Sequence, residues 1–182
     1  IRHVDSDDNV IIGKDAGTGG AAAMQNCVVI GESAMNGTGG NAQDGTVAIG
    51  KDALGDLTAG GDNLAIGKNA LRRITTGQEN IAIGNFALDA ADATEKWNIA
   101  IGVSAMGAVD EGAGDGGTWL ANSNIAIGSN ALLGGAFGEA DKSLLGNVAI
   151  GHDALMSTST NAQTGTIAIG YNALTALTTG VG

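Results

Sequence analysis

The residues Ile-Gly-x-x-Ala recur nine times between Ile12 and Ala173, and a chain built this way can bury its apolar residues only by stacking one copy on the next. The repeat glycines are Gly13, Gly31, Gly50, Gly67, Gly84, Gly102, Gly128, Gly151 and Gly170, spaced by 18, 19, 17, 17, 18, 26, 23 and 19 residues. The shortest coil is thus 17 residues, and the two long gaps hold insertions at 107–123 and 134–146 of a single domain spanning 1–182.

The three residues before each glycine alternate as a strand does. Positions three and one before it carry Val, Leu or Ile and share a face; position two lies on the other face and is Ala in seven copies, with Ile11 and Val29 in the first two. Both faces are apolar, which predicts a parallel ladder buried on both sides, one strand per coil. At about 4.8 Å per rung, about nine coils make a rod on the order of 43 Å long. The glycine ends each strand sharply, where positive φ or a missing side chain is required. Polar pairs such as Lys51-Asp52 follow, then an invariant Ala, then usually a Leu or Met that fills the coil interior. Position four before the glycine is Asn in six copies, with Cys27, Thr46 and Thr166 in the others, and Asn amides stacked along a ladder bond rung to rung.

A lone coil of this length has too little volume to cover both strand faces, so the alanine face is expected to pack on neighbouring chains of a homotrimer. The larger Ile11 and Val29 would then space the first coils further apart or close the end of the rod.

With 43% hydrophobic but only 3% aromatic residues and no proline, the core must be thin, regular and long rather than globular. The net charge of −11 repels nucleic acid and anionic membranes. No apolar run is long enough for a membrane span, no signal-like sequence opens the chain, and the start at Ile1 suggests a piece of something longer. The single cysteine, Cys27, excludes an intrachain disulfide framework and reads as a small buried residue.

The runs Thr46-Val47-Ala48-Ile49-Gly50 and Asn80-Ile81-Ala82-Ile83-Gly84 resemble the YadA-like head repeats of trimeric autotransporter adhesins. They are equally similar to the Ala-Ile-Gly repeats of bacteriophage tail fibre and spike proteins. The resemblance covers essentially the whole chain and implies an all-β, left-handed parallel β-roll or β-solenoid assembled as a homotrimer. The coils here are longer than those of the adhesin heads, and Thr75-Thr76-Gly77 and Thr178-Thr179-Gly180 look closer to the viral type.

No motif points to catalysis, a cofactor or a metal. Gly112-Ala113-Gly114-Asp115-Gly116-Gly117 matches a phosphate-loop pattern but sits inside an insertion, without the strand and helix that chemistry needs. Asp5-Ser6-Asp7-Asp8-Asn9 opens like a calcium loop, yet Val10 and Ala16 occupy the required glycine and glutamate positions. His3 and His152 lack partners at ligand spacing. Asn36-Gly37-Thr38 is a formal glycosylation acceptor and reads as a turn.

A regular ladder repeats one surface, so specific binding is expected where regularity breaks. That places a candidate ligand surface on Asp110, Glu111, Asp115 and Trp119 of the first insertion and Phe137, Glu139 and Asp141 of the second. Rings stack on sugar faces while carboxylates accept sugar hydroxyls, so a host cell-surface glycan or protein is the expected partner beside the chain itself. The expectation is a non-enzymatic, structural and receptor-binding part of an extracellular fibre, on a virion tail or spike. The alternatives are a bacterial adhesin head at the cell surface and, third, a polysaccharide-degrading spike enzyme.

Overall fold

A computed structural model describes residues 8–18, 24–37, 43–90, 94–109, 121–134, 143–157 and 163–176. These residues form an all-β parallel solenoid with no helix. Its spine is a nine-stranded sheet of three-residue strands: β1 (Val10–Ile12), β3 (Val28–Ile30), β5 (Val47–Ile49), β6 (Leu64–Ile66), β7 (Ile81–Ile83), β8 (Ile99–Ile101), β10 (Ile125–Ile127), β12 (Val148–Ile150) and β14 (Ile167–Ile169). Every pairing is parallel and in register on the repeat, as in Ile81↔Ile99, Ala82↔Ala100 and Ile83↔Ile101. Across the coil run two-residue strands: β2 (Met24–Gln25) pairs with β4 (Gln43–Asp44), and β11 (Leu144–Leu145) lies between β9 (Ala121–Asn122) and β13 (Gln163–Thr164).

The strand faces are the reverse of the expected assignment. Ala48, Ala65, Ala82, Ala100, Ala126, Ala149 and Ala168 all face the interior of the chain's own coil and are buried there. The Ile, Val and Leu of positions three and one before the glycine face outward, half-buried along the middle of the rod and exposed at its ends. A narrow coil explains this, because each interior layer already holds the invariant Ala and a Leu or Met such as Leu54, Leu71, Leu88 and Met106, all fully buried. Only a methyl fits beside them. Ala82→Leu therefore overpacks the chain's own coil and is not in the first place an assembly variant.

The first rung solves the same volume problem differently. Gly17 stands where the other copies have Leu or Met, and a Cβ there would lie 3.1 Å from Met24 Cε and 3.3 Å from Ile11 Cδ1. Ile11 thus takes the space its neighbours fill with leucine, while the register Ile11↔Val29↔Ala48 continues unbroken. The expectation that these larger residues space the coils apart is not met, because both point into the coil and the pairing runs on in register.

Four positions per copy carry positive φ in all nine copies: the repeat glycine, the residue five before it, and those two and four after it. Gly84 has φ +140, and a Cβ on it would overlap the carbonyl oxygen of Gly102 on the next rung. The glycines are stacked backbone to backbone. Two residues on, Asp52 (φ 55) and Asn69 (φ 59) occupy the third place of a turn closed by Ala53 N–H to the Gly50 carbonyl at 3.3 Å and Ala70 N–H to the Gly67 carbonyl at 3.3 Å. Asn and Asp tolerate that conformation well.

Leucine four residues on does not. A left-handed residue with a side chain costs roughly 1–2 kcal/mol, which full burial of a leucine, about 1.5–3 kcal/mol, offsets. The Leu54 N–H gains a partner in the Ala70 carbonyl at 3.0 Å.

The asparagine ladder forms. Asn98 Nδ2 donates to Asn80 Oδ1 at 3.1 Å and to the Ala121 carbonyl at 2.6 Å across the coil. Its Oδ1 accepts from Asn124 N at 3.0 Å and Asn124 Nδ2 at 3.1 Å. That uses both donors and both lone pairs of a fully buried amide. The same pattern runs from Asn63 through Asn147 to the Thr166 backbone N–H.

Candidate interaction surface

The outward face of the nine-stranded sheet is left only partly covered by the described residues of the chain. Parallel sheets are ordinarily covered on both faces. Here two continuous rows of β-branched and leucine side chains stand outside, flanked by two turn columns. Ile127 is 37% exposed in mid-rod, and at the last rung Ile167 and Ile169 reach 67% and 65%. Burying the remaining half of one such side chain is worth on the order of 1 kcal/mol.

One border of this face is the left-handed residue five before the glycine: Asp62, Glu79, Trp97 and their equivalents. The other is the residue after the glycine. Trp97 is 54% exposed with φ 60, in a conformation for which Asp, Asn, Glu, Ser or Gly serve elsewhere in the column. On the opposite border Val103 is exposed, and on the two rungs before it Lys68 Nζ lies 5.7 Å from the centroid of the Phe86 ring. Further down, His152 and Tyr171 stack with centroids 5.4 Å apart and an interplanar angle of 20°. His152 Nδ1 also reaches Asp153 Oδ2 at 3.1 Å.

Two charges on the second border pair with each other. Lys51 Nζ bonds Glu32 Oε2 at 3.0 Å, and that hydrogen bond, followed by the attraction of the two charges, lowers the Glu32 pKa and raises that of Lys51. Asp89 is raised by partial burial, opposed by Arg72 at 3.7 Å. Burial also raises the Cys27 thiol, which sits fully enclosed in the ladder column with Sγ 3.2 Å from the Gln25 carbonyl. Among the described residues no group of three or more His, Cys, Asp or Glu is placed to hold a metal ion.

The seven residues expected to bind a ligand, Asp110, Glu111, Asp115, Trp119, Phe137, Glu139 and Asp141, lie outside the described residues, as do the Gly112–Gly117 run, His3, Asp5 to Asp7 and Thr38. His152 and Asn36 are exposed. The repeat glycines are spread one per rung along the rod and form a backbone column rather than a site. Sequence reasoning passed over Trp97, Phe86, Val103 and Tyr171, although aligning the copies on their glycine puts each at a turn position that is polar or glycine in most other copies.

No family model matches the chain, and neither a curated protein nor a solved structure is found to match it.

Proposed function

We propose that this chain is a rigid segment of a homotrimeric extracellular fibre, of the tail-fibre or spike type of bacterial viruses, with structural and host-receptor-binding duty. In this reading the solenoid is left-handed, has about nine coils, and packs three outward sheet faces around one axis. The observation that carries it is the uncovered apolar face running the length of the parallel sheet. A sheet face of this kind needs a cover, and a rod repeats its surface at every rung, so another identical rod is the cover that matches it throughout.

Receptor contact then falls to the two insertions, with rings and carboxylates of Asp110, Glu111, Asp115, Trp119, Phe137, Glu139 and Asp141 meeting a host glycan or protein. Light scattering of the purified chain tests the assembly, with a trimeric mass expected and a stable monomer at micromolar concentration overturning it. Shortening both insertions to the 17-residue coil should leave the trimer intact and abolish attachment to host cells. A shortened rod that still binds places receptor recognition elsewhere.

A further inference from the structure

The geometry points to a rung-matched seam between copies of this chain, in which the border five residues before each glycine on one copy meets the border one residue after the glycine on the next copy at the same height. This rests on the trimeric reading above, and it adds which residues meet and at what level.

The two borders lie on opposite sides of one sheet face. Five residues, three of them in the strand, lie between them and hold them roughly 10 Å or more apart, so they do not meet within one rung. In a trimer whose axis runs along the rod, rotation carries no translation. Rung n of one copy then faces rung n of its neighbour, to within the fraction of about 4.8 Å that a coil climbs.

The side chains on the two borders match at that register in three independent respects. In charge, exposed Asp8 shares its rung with exposed Lys14, and Asp62 shares its rung with Lys68. Among the described residues, the ion-pair partner of Lys14 is its sequence neighbour Asp15 at 3.4 Å, and Lys68 rests over Phe86. In apolarity, 54%-exposed Trp97 shares its rung with 52%-exposed Val103, while Phe86 lies one rung away.

In size, the largest projection on one border falls at the emptiest place on the other. The stacked rings of His152 and Tyr171 share their rungs with Gly146 and Gly165, around whose absent Cβ no atom of the described residues stands within 4 Å. Either glycine is explained by its own positive φ. That both fall opposite the two rings is what neighbouring copies require. The seam also accounts for Trp97, a bulky residue held in a left-handed conformation without a ring partner in its own chain among the described contacts.

Cysteine pairs read the register directly. Oxidised Trp97→Cys/Val103→Cys protein should run as a covalent trimer on a denaturing, non-reducing gel. Trp97→Cys/Tyr171→Cys, three rungs out of register, should not, and the buried native Cys27 is common to both. Charge supplies the second arm: Asp62→Lys should weaken association roughly tenfold or more, because the pair recurs at all three seams, and Asp62→Lys/Lys68→Asp should restore it.

A trimer by light scattering that gives no register-specific crosslink and no charge rescue overturns the seam and leaves the trimeric reading standing. A monomer overturns both. A trimer in which Trp97→Ala changes glycan attachment but neither association nor the crosslink of another rung-matched pair, Gly146→Cys/His152→Cys, assigns Trp97 to a ligand and removes it from the seam.

Discussion

The rungs from Asn63 to Asn147 and the first three rungs use the same strand register but hold their coils together differently. From Asn80 to Asn147 each Asn amide bonds the rung before it, the rung after it and the opposite side of the coil, while Asn63 opens the run with bonds to the rung after it and across the coil. In the first three rungs the ladder keeps one amide, Asn9, whose Nδ2 donates to the Met24 carbonyl across the coil at 2.6 Å. Asn9 still accepts the Cys27 backbone N–H at 2.8 Å, but Cys27 and Thr46 turn their side chains to carbonyls two residues back, at 3.2 Å in each case. The parallel pairing of β3 with β5 continues regardless. The ladder is therefore a cross-brace between the two sides of the coil, while the glycine column and the sheet bonds set the rung itself.

That contrast can be broken most severely at the glycines, which both regions share. Gly84→Val combines a positive φ with overlap on the Gly102 carbonyl, and should cost more than about 4 kcal/mol or prevent folding. Gly31→Val should be equally damaging, because Gly31 meets Gly50 in the same way. Gly170→Val keeps the φ of +128 but among the described residues meets only Ala173 Cβ at 4.0 Å, so it should cost about 1–3 kcal/mol. Denaturant midpoints of the three variants check this, and equal losses at all three would show that stacking contributes nothing beyond φ.

The ladder itself comes next. Asn98→Ala removes the acceptor of two Asn124 donors and should cost about 3 kcal/mol or more by chemical denaturation, since unmade buried bonds cost about 1–3 kcal/mol each. Thr46→Ala loses one local bond and should cost about 1 kcal/mol. Similar losses at both positions would end the distinction between the two regions.

Volume is the third axis. Gly17→Leu alone should cost about 1–3 kcal/mol by overpacking against Ile11 and Met24. Ile11→Ala/Gly17→Leu, which imports the arrangement of the other rungs, should recover most of that loss in a thermal melt.

The smallest effect is at Cys27. Its folded pKa is raised by burial above the ordinary thiol value of 9.0, so the stabilisation is complete below that value and is lost as pH rises through the folded pKa. The loss should be a few tenths of a kcal/mol at pH 9, growing toward about 1.4 kcal/mol per further unit, and Cys27→Ser should lack this alkaline slope. Thiol reagents should react with Cys27 only on unfolding.

Much of the architecture follows from residue order alone. A fixed Ile-Gly-x-x-Ala period can be satisfied only by in-register stacking, and an Asn column at a buried position can be satisfied only by bonds between rungs. Two apolar faces are legible in the alternation, but not which of them is inside, because alternation labels faces without orienting them. Closure of a narrow coil around Leu54, Leu71 and Leu88 decided that the alanines point in and the isoleucines out. The left-handed leucines are equally hidden in the sequence, since leucine by itself prefers other backbone conformations, and only the bonds to the next rung and complete burial hold it there. The opposed borders of the sheet face emerge for the same reason: residues six apart in sequence become the two sides of one surface only once the strands are stacked.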